Sequence, residues 1–389
     1  MIGQRPDQEV HNNMVIVFWL ALFGALYSYF LYPLLLGLLP RRRPRPCPAS
    51  AELPFLTVII TVHNELERIV DKLQNTLALD YPRERWELIV ASDASDDGTD
   101  EVVKAYAEQG VRLVRSPRRE GKEAAQRLAI AAARGEILVF SDASTRLPPH
   151  SLRRIAEDFR DPAVGAVSSE DRFLTPDGKT VGEGLYVRYE MWLRRLEAQR
   201  AGLVGLSGSF FAARREVCQD WDVLAPSDFN TALNCARKGY IAIADPELLG
   251  YYPALQDEDR EYQRKLRTVI RGITGLMRRP QVLDPTRYGL FALQVWSHKV
   301  MRWLVPWFLL LLLLSSCYLA DAGWFYSVAL AAQLAFYLLV VGGLVSRRLR
   351  RHTLIRIPFF FAQANLAIAH ASLAFLAGKR VTVWQPSKR

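Results

Sequence analysis

Residues 15–39 are apolar apart from a few small or aromatic polar groups, and at ~1.5 Å rise per residue a helix of that length exceeds the ~30 Å hydrocarbon core of a bilayer. Two further runs of spanning length, residues 303–319 and 324–345, lie towards the other end of the chain, separated by the turn Ala320, Asp321, Ala322, Gly323. Any water-soluble domain must therefore be built from the middle of the 389 residues. No small-residue cleavage site follows residues 15–39; Arg41, Arg42, Arg43, Pro44 and Arg45 do, so the segment reads as a retained anchor rather than a signal peptide. One basic residue, Arg5, precedes it, and residues 346–356 carry five arginines and one histidine. The positive-inside rule then expects both arginine clusters, and the domain between them, on the cytoplasmic side.

Two segments stay open at this level. Residues 357–377 are long enough to span but contain Gln363, Asn365 and His370, and a span there would put Lys379, Arg380, Lys388 and Arg389 outside, so a re-entrant or interfacial course competes with it. Residues 288–302 interleave Leu290, Phe291, Leu293, Val295 and Trp296 with Gln294, His298, Lys299 and Arg302. That pattern suits an amphipathic helix on a membrane surface, although periodicity alone fits a globular helix equally. The net charge of +10 permits acidic partners, but juxtamembrane arginines already have a topological role and an affinity for anionic membrane lipids. No nucleic-acid partner is expected.

The middle of the chain alternates. Strand-like runs at 56–62, 87–92, 111–115 and 137–140 are interleaved with helical patterns at 66–79, 99–109 and 121–134. Such βαβ alternation predicts an α/β domain with a doubly wound, mostly parallel sheet. Neither Gly-x-Gly-x-x-Gly nor a Walker loop is present, which removes support for ordinary dinucleotide and ATPase readings. Cys47, Cys218, Cys235 and Cys317 lie far apart and the six histidines do not cluster. A bound metal would thus rest on oxygen ligands, which suits Mg²⁺ or Mn²⁺ shared with phosphates. The expected division is 1–43 anchor, 44–54 proline-rich linker, 55–284 cytoplasmic domain, 285–302 interfacial helix, 303–378 spanning helices and 379–389 basic tail.

Open α/β sheets bind ligands at the carboxyl ends of their strands, and polar clusters fall there. Thr61-Val62-His63-Asn64-Glu65 ends the first strand, Ser92-Asp93 opens the cluster after the second, Arg118 to Lys122 follows the third, and Asp142-Ala143-Ser144 ends the fourth. On these residues the chain resembles the membrane-bound glycosyltransferases of family 2, which have the GT-A fold and include hyaluronan, chitin and cellulose synthases and non-processive relatives. The resemblance covers nearly the whole chain. It implies that Thr61, His63 and Glu65 border the nucleotide, that Asp93 contacts base or ribose, and that Lys122 offsets diphosphate charge.

Asp142-Ala143-Ser144 is similar to Asp-x-Asp, with Ser144 in place of the second acid, so the resemblance implies Asp142 and Ser144 as ligands of Mg²⁺ or Mn²⁺ beside the donor phosphates. Ser207-Gly208-Ser209 resembles the small-residue floor beneath donor sugar and acceptor, with Ser209 on the donor side. Asp228 in Ser227-Asp228-Phe229 falls on the family's catalytic-base position, Ser227 replacing the preceding acid; a plain helix cap is the competing reading of Asp228. Arg264-Lys265-Leu266-Arg267-Thr268 stands where processive members have Gln-x-x-Arg-Trp. Only Arg267 matches, and Arg264, Lys265, Arg267 and Arg271 are expected either on the diphosphate or against lipid headgroups.

The resulting expectation is an inverting transferase in an integral membrane protein of the bacterial inner membrane, moving a sugar from a nucleotide-sugar donor to a lipid-linked or growing glycan acceptor. Two alternatives accompany it. One is a processive synthase secreting through a channel built by a homo-oligomer; the other is a catalytically silent nucleotide-sugar-binding subunit, suggested by the serines at 144 and 227.

Overall fold

The computed structural model describes residues 6–45, 52–174, 185–253 and 258–381; Arg5, Cys47 with most of the linker, and Lys388 and Arg389 of the tail lie outside the described residues. The chain divides into two compact units.

The first is built on a seven-stranded sheet of order β3-β2-β1-β4-β6-β5-β7, in which β1 is Leu56–Val62, β2 Trp86–Ser92, β3 Val111–Arg115, β4 Ile137–Asp142, β5 Val164–Leu174, β6 Phe210–Arg214 and β7 Ile241–Pro253. The pairs β1–β2, β1–β4, β2–β3 and β5–β7 are parallel, whereas β6 runs antiparallel to both β4 and β5. Alternation of side chains across the pleat gives the sheet two apolar faces. Val58, Ile60, Leu88, Val90 and Val139 enter one core with Ile69 and Leu73 of the helix Leu66–Leu77. Ile59, Ile89, Leu138 and Phe140 enter the other with Ala125 and Ala129 of Lys122–Ala132 and Ala232 and Cys235 of Ser227–Arg237. Central strands buried on both faces explain why the sequence shows continuous apolar runs there.

β4 runs two residues beyond the expected 137–140. Ser141 and Asp142 keep pairing with Ile60 and Thr61 of β1, so Asp142 is the last residue of the strand and its backbone is held by the sheet.

The second unit holds residues 1–37, 258–270 and 296–379. Among the described residues four helical runs are long and apolar enough to cross a membrane: Gln8–Leu38, Pro285–Tyr318, Trp324–Val345 and Thr353–Leu376. Within this unit Phe18 packs on Leu312 and Leu319, and Gly24 leaves room for the Phe308 ring, which a Cβ would meet at 2.5 Å. Small residues at such contacts let apolar helices approach closely. Some polar groups here are paired: the Tyr27 hydroxyl lies 2.9 Å from that of Ser297, and the Arg302 guanidinium stacks over the Tyr29 ring and reaches His298 Nε2 at 3.2 Å.

Candidate active site

β1, β2 and β4 end side by side, and each delivers polar side chains at its carboxyl edge. Thr61 stands in register with Asp142, and its buried hydroxyl has no hydrogen-bond partner among the described residues. Beyond β1, Glu65 is buried at the start of Leu66–Leu77 and pairs with Arg68 at 3.0 Å. Burial pushes the Glu65 carboxyl up against the opposing pull of Arg68, and the charges of Asp142 and Asp97 add to the rise. Asp97 accepts from the Leu66 amide and from both the amide and hydroxyl of Thr99, which makes it a brace between two helix starts.

Asp93 is 3% exposed. Its two oxygens accept from the amides of Glu120 and Gly121 at 2.8 and 2.9 Å, and its carbonyl lies 2.8 Å from His63 Nδ1. The carboxylate thus fastens the loop that leads into the helix Lys122–Ala132, and Gly121 adopts φ +101° there, a conformation that favours glycine. The fastened loop aims Lys122. Its ammonium lies 2.5 Å from Asp142 Oδ1 and donates to the Gly208 carbonyl at 2.8 Å.

Behind Asp142 lies a lysine that sequence reasoning missed. Lys72, 2% exposed, donates to the Ser141 hydroxyl at 2.7 Å and to the Thr145 carbonyl at 2.6 Å. It ties together both ends of the turn that carries Asp142 and the half-buried Ser144. Burial pushes its ammonium down to about 7, against the pull of Asp142. A lysine inside a helical pattern gives no sign in the sequence that it points into the protein.

The floor of the site is Ser207-Gly208-Ser209, the loop before β6. The Asp142 amide donates to the Ser209 carbonyl at 2.9 Å, and a Cβ at Gly208 would stand 3.4 Å from Asp228 Oδ2. Asp228 lies in the first turn of Ser227–Arg237, whose N-cap is Pro226 without a side-chain cap bond. The half-buried Asp228 carboxylate is therefore not the cap, and it stands at the positive end of the helix dipole, which favours an anion. From the other side comes Asp171 of β5, also unforeseen: it accepts from the hydroxyls of Ser207 and Ser209 at 2.7 and 2.8 Å. Glu123, next to Lys122, accepts from the Ser227 amide at 3.4 Å and pairs with Arg271 at 2.5 Å.

Asp142, Lys122, Asp171 and Asp228 thus meet one three-residue loop. Thr61, His63, Glu65, Asp93, Ser144 and Ser209 belong to the same unit, whereas Arg264 and Arg267 fall in the unit of the long apolar helices. Among the described residues no three His, Cys, Asp or Glu side chains come together as a metal cage.

The sheet, mostly parallel with β6 antiparallel to both its neighbours, has the GT-A fold. Residues 57–221 match the model of Glycosyl transferase family 2. Among its relatives, glycosyltransferase AglE of Haloferax volcanii is 25% identical over 214 residues, 53% of this chain and 69% of that protein. Beta-monoglucosyldiacylglycerol synthase of Trichormus variabilis is 26% identical over 219 residues, 54% of this chain and 46% of that protein, so the chain spans about half the length of that relative. The mannosyltransferase PcManGT of Pyrobaculum calidifontis, solved with GDP-Man and Mn²⁺, superposes with a TM-score of 0.71 at 23% identity, over 94% of this chain and 100% of that one. That likeness establishes the fold.

Proposed function

We propose that the protein is an inverting sugar transferase that takes a nucleoside diphosphate sugar as donor and a lipid-linked or glycan hydroxyl as acceptor. The observation that carries this reading is the convergence of Asp142, Lys122 and Asp228 on the Ser207-Gly208-Ser209 loop. Asp142 and Lys122 face the leaving group, and Asp228 faces the acceptor. Deprotonation of the acceptor by Asp228 and attack on the anomeric carbon from the side opposite the diphosphate release nucleoside diphosphate and invert that carbon. Two relatives, a glycosyltransferase and a glucosyldiacylglycerol synthase, support sugar transfer to such acceptors.

The carboxylates around the loop outnumber its one lysine. A diphosphate approaching them needs further positive charge, and the GDP-Man and Mn²⁺ of the fold neighbour support a divalent ion as its source. Asp142 and Ser144 would hold Mg²⁺ or Mn²⁺, completed by donor phosphate oxygens because the described residues offer no cage of their own. When bound, the ion neutralises charge on the departing diphosphate. Lys122 holds Asp142 in place and adds a fixed cation beside it. Asp142→Asn should remove most transfer and weaken metal-assisted binding of nucleoside diphosphate, read by calorimetry with and without Mg²⁺ or Mn²⁺. Full turnover in excess chelator would overturn the metal assignment, and donor binding without any release of nucleoside diphosphate would make the protein a sensor instead of an enzyme.

The arginine clusters at 41–45 and 347–351 support a cytoplasmic catalytic unit in a bacterial inner membrane. Cysteines introduced at positions 43 and 348 should resist an impermeant thiol reagent in intact cells. Strong labelling of either would reverse the orientation.

A further inference from the structure

We propose that Asp171 is a positioning residue for this reaction: it fixes the Ser207-Gly208-Ser209 loop, and through that loop it sets Lys122 against Asp142 on one side and Asp228 on the other. The proposal rests on the sugar-transfer reading above. A Ser-Gly-Ser segment has little stiffness of its own, and beyond the buried Ser207 its tip at Gly208 is exposed, so hydrogen bonds rather than packing hold that tip. Asp171 Oδ1 accepts from Ser207 at 2.7 Å and from Ser209 at 2.8 Å, Oδ2 accepts from Ser207 at 2.9 Å, and Ser169 lies at 3.4 Å from Oδ1. Bonds to a carboxylate are roughly twice as strong as neutral ones, which makes Asp171 the dominant anchor of both hydroxyls.

The anchor itself is rigid. Asp171 pairs in register with Gly250 of β7, at the point where β5 passes from buried residues to half-exposed ones. Its neighbour Glu170 points to the other side of the pleat and is taken by Arg172 and Arg195, at 3.3 and 2.6 Å. The two adjacent acids therefore have separate tasks, one clamping arginines and the other holding the loop. A loop bound to a strand through two side chains transmits the strand's position to whatever the loop touches. Here it touches Lys122 through the Gly208 carbonyl and Asp142 through the Ser209 carbonyl, and next to it the Leu206 amide donates to the Asp228 carbonyl at 3.4 Å, with room at Gly208 for the Asp228 carboxylate.

The serine bonds separate this role from direct contact with substrate. Asp171→Asn retains an oxygen able to accept from both serines while removing the charge; Asp171→Ala removes the acceptor; Ser207→Ala with Ser209→Ala removes the donors and leaves the carboxylate. Three readouts on the full chain in detergent apply: single-turnover transfer, calorimetric binding of nucleoside diphosphate, and amide exchange across residues 205–211. Asp171→Ala and the double serine variant should each lose ~10- to 100-fold in transfer, as expected for small misplacements of reacting groups. Both should speed exchange of the loop amides, and the triple variant should be no slower than Asp171→Ala. Asp171→Asn should keep most of the rate. Equal damage by Asp171→Asn and Asp171→Ala would overturn the proposal in favour of a direct action of the charge. Wild-type transfer by the double serine variant would overturn it too, and this arm remains available if Asp171→Ala does not fold. Should the wild-type chain release no nucleoside diphosphate with any donor, the sugar-transfer reading fails by itself; unchanged loop exchange in Asp171→Ala would then still overturn the positioning role.

Discussion

Asp228→Asn should leave the donor bound and stop its transfer. The substitution preserves size, and because the helix Ser227–Arg237 takes its cap from Pro226 without a side-chain bond, no capping contact is lost. In the proposed mechanism what disappears is the ability to accept the proton of the attacking hydroxyl, for which a general base contributes ~10²- to 10⁴-fold. Donor affinity should change little if, as proposed, the diphosphate is held by Asp142 and Lys122, which contact each other and the loop without passing through Asp228. Nucleoside diphosphate binding and single-turnover transfer on one preparation decide the matter. Near-normal transfer would remove Asp228 from the chemistry, and loss of donor affinity together with transfer would move it to the donor side.

The residues that sequence reasoning reached and those it did not differ in how they are placed. Asp142, Asp93 and Glu65 follow apolar runs at strand ends, where alternation between strand and helix already locates the ligand edge of a sheet. Lys122 stands at the first residue of a helix after a Gly turn, another position with a local signature. Asp171 has none: it sits inside the eleven residues of β5 beside a second acid, and only the antiparallel course of β6 brings the 207–209 loop onto it. Lys72 is hidden in the same way, since a helical pattern cannot tell a lysine turned inward under a strand end from one in water. Arg264 and Arg267 resemble part of a motif of processive relatives by their spacing, and the structure groups them with the long apolar helices. Local signals thus locate residues at element ends, while contacts made by a non-local strand pairing or by inward rotation of a side chain need the fold.

Arg271→Ala should cost the catalytic unit about 3–5 kcal/mol, the range for breaking a buried ion pair from one side. Arg271 and Glu123 lie 2.5 Å apart with side chains only 12% and 2% exposed, so water cannot take over the abandoned carboxylate. An exposed pair would lose only ~0–1 kcal/mol. The loss is large because domains of this kind are stable by only about 5–15 kcal/mol in total, and it has a direction. Glu123 is bound on three sides: its carboxylate by Arg271 and the Ser227 amide, and its backbone carbonyl by Trp221 Nε1 at 3.0 Å. It thereby ties the helix that starts at Lys122 to the helix that carries Asp228. Replacing both charges, as in Glu123→Leu with Arg271→Leu, removes the stranded carboxylate and should recover much of the stability, but it leaves the Ser227 amide without its acceptor. The double variant should therefore unfold at denaturant concentrations near wild type while transferring sugar more slowly. A double variant as unstable as Arg271→Ala would mean that the site needs the pair for packing rather than for charge, and one with wild-type transfer would show that Asp228 is held without Glu123.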